Sequence, residues 1–175
     1  MTQHAPLFIV LLPVSAALLC MLFSRIQKNL GSWIVIASIA GAFLSAVSSL
    51  QQVIADGGKA LHYWMGNWQP PLGIEFVIDP ISGALAVLIT FIALLGSLYS
   101  LPFVKEEGWL HIGGYYTLYG LMTVGMCGMV ITGDVFNLYV FLEVMSLSGY
   151  GLIAIGGKKS MLAAFRYLLI GTIGA

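Results

Sequence analysis

Charge is scarce in this sequence. Of 175 residues, 7 are Lys or Arg and 7 are Asp or Glu, so 8% are charged against 59% hydrophobic. A soluble domain cannot clothe its surface on so few charges, and the mean hydropathy of +0.98 points the same way. The formal net charge is zero and singles out no charged partner; no nucleic-acid partner is expected. Cysteine is almost absent too. Cys20 and Cys127 both fall within apolar runs, without ligand spacing or a paired framework, and so read as small hydrophobes. The three histidines, His4, His62 and His111, fall in or near loops, where simple exposure accounts for them. The sequence has no metal constellation, no Gly-rich phosphate loop and no nucleophile triad, so we expect neither a cofactor nor catalysis by this chain alone.

What is present is a series of long apolar runs. A membrane-crossing helix needs about 20 mostly apolar residues. By that rule spans fall at Pro6–Phe23, Gly31–Ala55, Ile78–Val104, Gly113–Thr132 and Val135–Ile155. A sixth opens near Met161 and runs to Ala175, too short to cross comfortably. The expected fold is an all-α polytopic membrane protein, residues 1–175 forming one membrane domain. It reads as a piece of a longer polytopic protein or as a split subunit completed by another chain. The first span lacks the basic leader of a signal peptide, its basic residues following the apolar run instead.

The few cations are distributed unevenly. Arg25 and Lys28 follow the first span, Lys105 the third, and Lys158, Lys159 and Arg166 the fifth; only Lys59 lies in a loop of opposite parity. The positive-inside rule places the first group in the cytoplasm and the N-terminus outside. The sizeable outer loop joins the second and third spans, with Tyr63, Trp64 and Trp68 suited to the interfacial aromatic belt. Aromatic residues around a Gly/Asn/Pro/Pro centre predict a small β-hairpin there, with strands at about Leu61–Met65 and Gly73–Ile78 lying on the outer surface. Lys105-Glu106-Glu107-Gly108 forms a cytoplasmic turn, and the link at Gly133-Asp134 is very tight. Asp79-Pro80 suits a helix start, and capping is the favoured reading of Asp79 and Glu75 alike. Glycines 113, 114, 120, 125 and 128 in the fourth span favour close helix packing.

One carboxylate sits in the middle of an apolar run. Glu143 lies inside Val135–Ile155, and an acid at mid-depth costs about 2.5–3.5 kcal/mol on insertion scales. Such groups turn to the protein interior and by default carry function. Helical periodicity sets Tyr139, Glu143, Ser146 and Tyr150 along one stripe, so the acid lies among hydroxyls that can hold water or pass a proton. Desolvation favours the neutral carboxyl and a nearby cation favours its charge, so an acid between the two can exchange a proton. The plainer reading, two helices locked by hydrogen bonds, applies with more force to the tyrosines and Ser146. Asp134 reads first as an N-cap and second as a proton-entry group. Arg166, one turn into the sixth segment, either snorkels to the interface or faces inward toward an acid.

The stretch TGDVFNLYVFLEVMSLSGYGLIA, with GNWQPPLGIEFVIDPISG at 66–83, resembles the antiporter-like membrane subunits. The form before the glutamate is most similar to the D-type subunit of Mrp sodium/proton antiporters and its membrane-bound hydrogenase counterpart, and more distantly to the proton-pumping subunits of respiratory complex I. The resemblance covers nearly the whole chain but only the N-terminal part of the family's fourteen-helix subunit. It implies a proton-translocating subunit of a multisubunit complex in the inner (cytoplasmic) membrane, with other membrane subunits as partners and protons, with or without sodium, as cargo. It implies that Glu143 is a protonatable switch paired with a seventh-helix lysine, which has no counterpart among these residues. Two rival classes are a structural scaffold of such a complex that moves no ion, and a quinone-reacting enzyme, for which no cofactor ligand is visible.

Overall fold

The computed structural model describes residues 4–27, 29–68, 73–104 and 109–174. Lys28, the Lys105–Gly108 turn and the proline pair of the hairpin turn lie outside them. Among the described residues six α-helices run up and down: α1 (Ala5–Ile26), α2 (Leu30–Ala55), α3 (Pro80–Val104), α4 (Trp109–Ile131), α5 (Val135–Ala154) and α6 (Lys158–Gly174). Five of them, α1 to α5, are long and apolar enough to cross a membrane. The sixth starts three residues earlier than hydropathy places it, because Lys158 and Lys159 interrupt the apolar signal without interrupting the backbone.

Helices α1 to α4 pack into a four-helix body, with α5 laid on α4 and α6 on α5. Lipid tails are as apolar as leucine, so burial alone gives these helices little reason to associate. Interhelical hydrogen bonds and small residues supply it. The Tyr116 hydroxyl bonds Ser100 Oγ (2.9 Å) on α3, Tyr119 donates to the Ala93 carbonyl (3.0 Å), and Thr117 donates to Ala17 (3.1 Å) on α1. The α4 glycines are packing residues where they meet a neighbour. A Cβ at Gly120 would stand 3.2 Å from Ala17, and one at Gly125 2.7 Å from the Met145 backbone, whereas Gly114 faces open space.

The predicted hairpin forms, and it sits deeper than expected. Strands β1 (Leu61–Trp64) and β2 (Glu75–Ile78) pair antiparallel, Leu61 opposite Ile78 and Trp64 opposite Glu75. Expected on the outer surface, the hairpin instead sinks one face of β2 into the bundle end, with Phe76 at 1% and Ile78 at 0% exposure. Phe76 bridges to Thr132, its ring lies 6.4 Å from that of Phe141 on α5, and the Gly133 N–H donates to the Glu75 carbonyl (2.9 Å). The period-2 pattern of the strand marks which residues share a face and leaves open what that face meets. Ile78 belongs to β2, so the third span begins at Pro80, not at Ile78. Because Phe76 packs against both α5 and the bundle, Phe76→Ala should cost about 3 kcal/mol. Equilibrium unfolding in mixed micelles, compared with the exposed Trp68→Ala control, checks this.

Candidate functional site

The candidate site is built on α5. The helix begins at Asp134, whose Oδ1 accepts the Phe136 N–H (3.0 Å), while Thr132 Oγ1 accepts from Asp134 N (3.3 Å) and from Asn137 Nδ2 (3.0 Å). Asp134 is therefore an N-cap, held in place by the short link from α4. Asn137, Phe141 and Ser148 form the buried stripe that meets α4. Gly128 makes room for the Phe141 ring, and Gly125 for the Met145 backbone.

Tyr139, Glu143, Ser146 and Tyr150 occupy the opposite face, turned from α4 toward α6. Tyr139 is exposed; Glu143, Ser146 and Tyr150 are half-buried. Tyr139 and Glu143 stand four residues apart on this face, one helical turn from each other. Tyr139, Ser146 and Tyr150 line a groove of about 460 Å³ whose other wall is Tyr167, Gly171 and Gly174 of α6. Tyr150 and Tyr167 meet edge to face at 4.8 Å, and Gly171 has no side chain where the Tyr150 hydroxyl lies. Sequence reasoning does not single out these α6 residues. A signal was present, since Tyr167 and Gly171 are four residues apart and share a face, but nothing in the sequence says that this face meets α5.

Arg166 is not part of this groove. On α6 the residues turned to α5 are Ser160, Ala164, Leu168 and Gly171; Arg166 is exposed on the far side. Of the two readings of Arg166, the inward one is therefore not realised toward α5. No group of His, Cys, Asp and Glu among the described residues could hold a metal.

Acids at the hairpin end have separate roles. Asp79 Oδ1 accepts the Ser82 N–H (2.6 Å) and Ser82 Oγ accepts the Asp79 N–H (2.8 Å), a reciprocal cap of α3. The Ser82 N–H, above all, holds the Asp79 carboxyl below the usual range. Glu75, expected to cap, does not. Its Oε1 accepts from His62 Nδ1 (2.7 Å) and Trp64 Nε1 (2.9 Å), so His62, although exposed, is engaged. The strand register aligned these three, and spacing along the chain could not. The bonds from His62 and then Trp64 lower the Glu75 pKa. A depressed carboxyl stabilises the fold above its ordinary value near 4.5 and loses that contribution as pH falls through the folded value. Acidification should therefore loosen the hairpin and alter Trp64 fluorescence, and Glu75→Gln should flatten that acid-side transition.

No family model matches the chain. Single proteins do. It is 40% identical over 175 residues to the N-type subunit of the NADH-quinone oxidoreductase of Desulforudis audaxviator, covering 100% of this chain and 35% of that protein. It is 30% identical over 174 residues to the D-type subunit of a probable K(+)/H(+) antiporter of Rhizobium meliloti, covering 96% and 31%. Its fold matches a chain of the membrane-bound sulfane sulfur reductase, an archaeal respiratory membrane complex, with a TM-score of 0.89, 29% identity and 98% and 34% coverage. The chain is homologous along its whole length to antiporter-like membrane subunits, both the antiporter D type and the complex I N type. It spans about a third of the length of these relatives. Of the two relatives named, the NADH-quinone oxidoreductase subunit is the more identical, at 40% against 30% for the D-type antiporter subunit.

Proposed function

We propose that this chain is part of a proton-translocating, antiporter-like subunit of a multisubunit membrane complex, and that Glu143 is its protonatable switch. Whether the complex is driven by a cation gradient or by redox chemistry in other subunits, the role of this portion is the same. The observation that carries the reading is the α5 stripe. An acid inside a membrane-crossing helix sits on the face turned from α4, one turn from Tyr139 and beside a groove with hydroxyl-bearing walls. A carboxyl so placed is costly as a charge unless something answers it. The answer we assign is a lysine from outside these residues, whose approach stabilises the carboxylate and whose withdrawal returns the proton to it. Tyr139, Ser146 and Tyr150 position water and relay the hydrogen ion toward or away from Glu143.

The orientation we propose is supported by the distribution of cations over the helix ends. Arg25 and Lys159 lie at one end of the bundle, with Lys59 and the hairpin at the other, so the hairpin and the N-terminus face outward from the inner membrane. The test is difference infrared spectroscopy on the full complex in lipid. Its carboxylic C=O band, assigned by its loss in Glu143→Gln, should rise and fall as pH is cycled. A Glu143 fixed in one state at every pH leaves the chain a scaffold.

A further inference from the structure

The far side of α6 carries a pattern of its own, apart from the α5 stripe. Lys159 and Arg166 are seven residues apart, two turns and about 10 Å along the axis, so they stand on one line of the helix. Both are exposed, and the same line continues through exposed Leu169, Ile170 and Ile173. Helix α6 packs beside α5, a helix long and apolar enough to cross a membrane, and this face of α6 is turned from α5. A helical side chain leans toward the N-terminus of its helix, so the Arg166 guanidinium is directed up the helix toward Lys159. The order from the bundle end inward is thus cation, cation, apolar strip.

We propose that this face of α6 is a binding site for an anionic phospholipid, with the headgroup phosphate between Lys159 and Arg166 and an acyl chain along Leu169, Ile170 and Ile173. The charge and the depth agree. A cation so far inside hydrocarbon is expensive without an anion, and a phosphate drawn slightly below its usual level meets a guanidinium that snorkels up to it. Arginine suits the role because its planar fork takes two phosphate oxygens at once. Basic groups at the cytoplasmic ends of membrane helices select acidic headgroups on these grounds. An acid-bearing helix could also answer Arg166, but it would leave Lys159, on the same line, unexplained.

The test uses the full subunit in its complex, in phosphatidylcholine membranes doped with phosphatidylglycerol, with a photoreactive residue at Ile170. Mass spectrometry of the adducts should show phosphatidylglycerol captured in excess of its share. Arg166→Gln and Lys159→Gln should each cut that excess about fivefold, and Arg166→Lys should keep most of it. If Arg166→Gln fails to assemble, Lys159→Gln decides the matter. Equal capture of the two lipids, an excess that both Gln variants leave unchanged, or adducts to a protein helix each overturn the proposal. None of these readouts depends on Glu143, so a failure here leaves the transport reading standing, and the reverse.

Discussion

Glu143→Gln is expected to reduce proton-coupled transport by the assembled complex about tenfold or more, a loss of ~1.4 kcal/mol or more in the coupled step. Gln matches Glu in size and position 143 lies off the face that meets α4, so the α4–α5 seam should be unaffected. That seam is made by Asn137, Phe141 and Ser148 on the other face of the helix. What Gln lacks is the ability to gain and lose a proton and to carry a negative charge when a cation approaches. Glu143→Asp keeps the charge and shortens the reach, so it should fall between the two. The measurement is the response of a pH-sensitive dye in vesicles, normalised to the amount of intact complex seen on native gels. Unimpaired coupling in Glu143→Gln, or loss of the complex itself, removes the switch and favours the scaffold.

The second large effect is expected at Gly125. A Cβ there would lie 2.7 Å from the Met145 amide nitrogen and 2.8 Å from its Cα. Those atoms are backbone and cannot rotate aside, so a side chain at 125 has to push α5 off α4. Gly125→Ala should destabilise the pair by about 1–3 kcal/mol, in the range of overpacked cores. Gly125→Leu should detach the helix and carry Glu143 with it, lowering coupling and assembly together. Gly114→Ala, where nothing stands within 4 Å, is the matched control and should change little. Unfolding in mixed micelles gives the stability. A Gly125→Leu variant as stable as the Gly114 control would mean that α4 and α5 are not in backbone contact.

These two expectations differ in how much of each could be read along the chain. Glu143 announces itself, because a carboxylate in an apolar run contradicts its surroundings. Gly125 is one of five glycines in the fourth span; spacing gives it no distinction from Gly114, yet one is locked under Met145 and the other faces open space.

Sequence alone settled the membrane class, the helices to within a few residues, the Asp134 and Asp79 caps, and the hairpin with its two strands. Each of these depends on local rules: run length against bilayer thickness, a side-chain oxygen against free amides, and alternation in a strand. Tertiary structure decided which faces are covered. It sank β2 into the bundle end, bound Glu75 to His62 and Trp64, set Tyr167 and Gly171 across from the α5 stripe, and turned Arg166 away from it. The physical reason is loss of contrast. In a soluble helix the polar face marks the outside, whereas here lipid and neighbouring protein are equally apolar, so periodicity cannot tell one from the other and only packing of small residues and hydrogen bonds can.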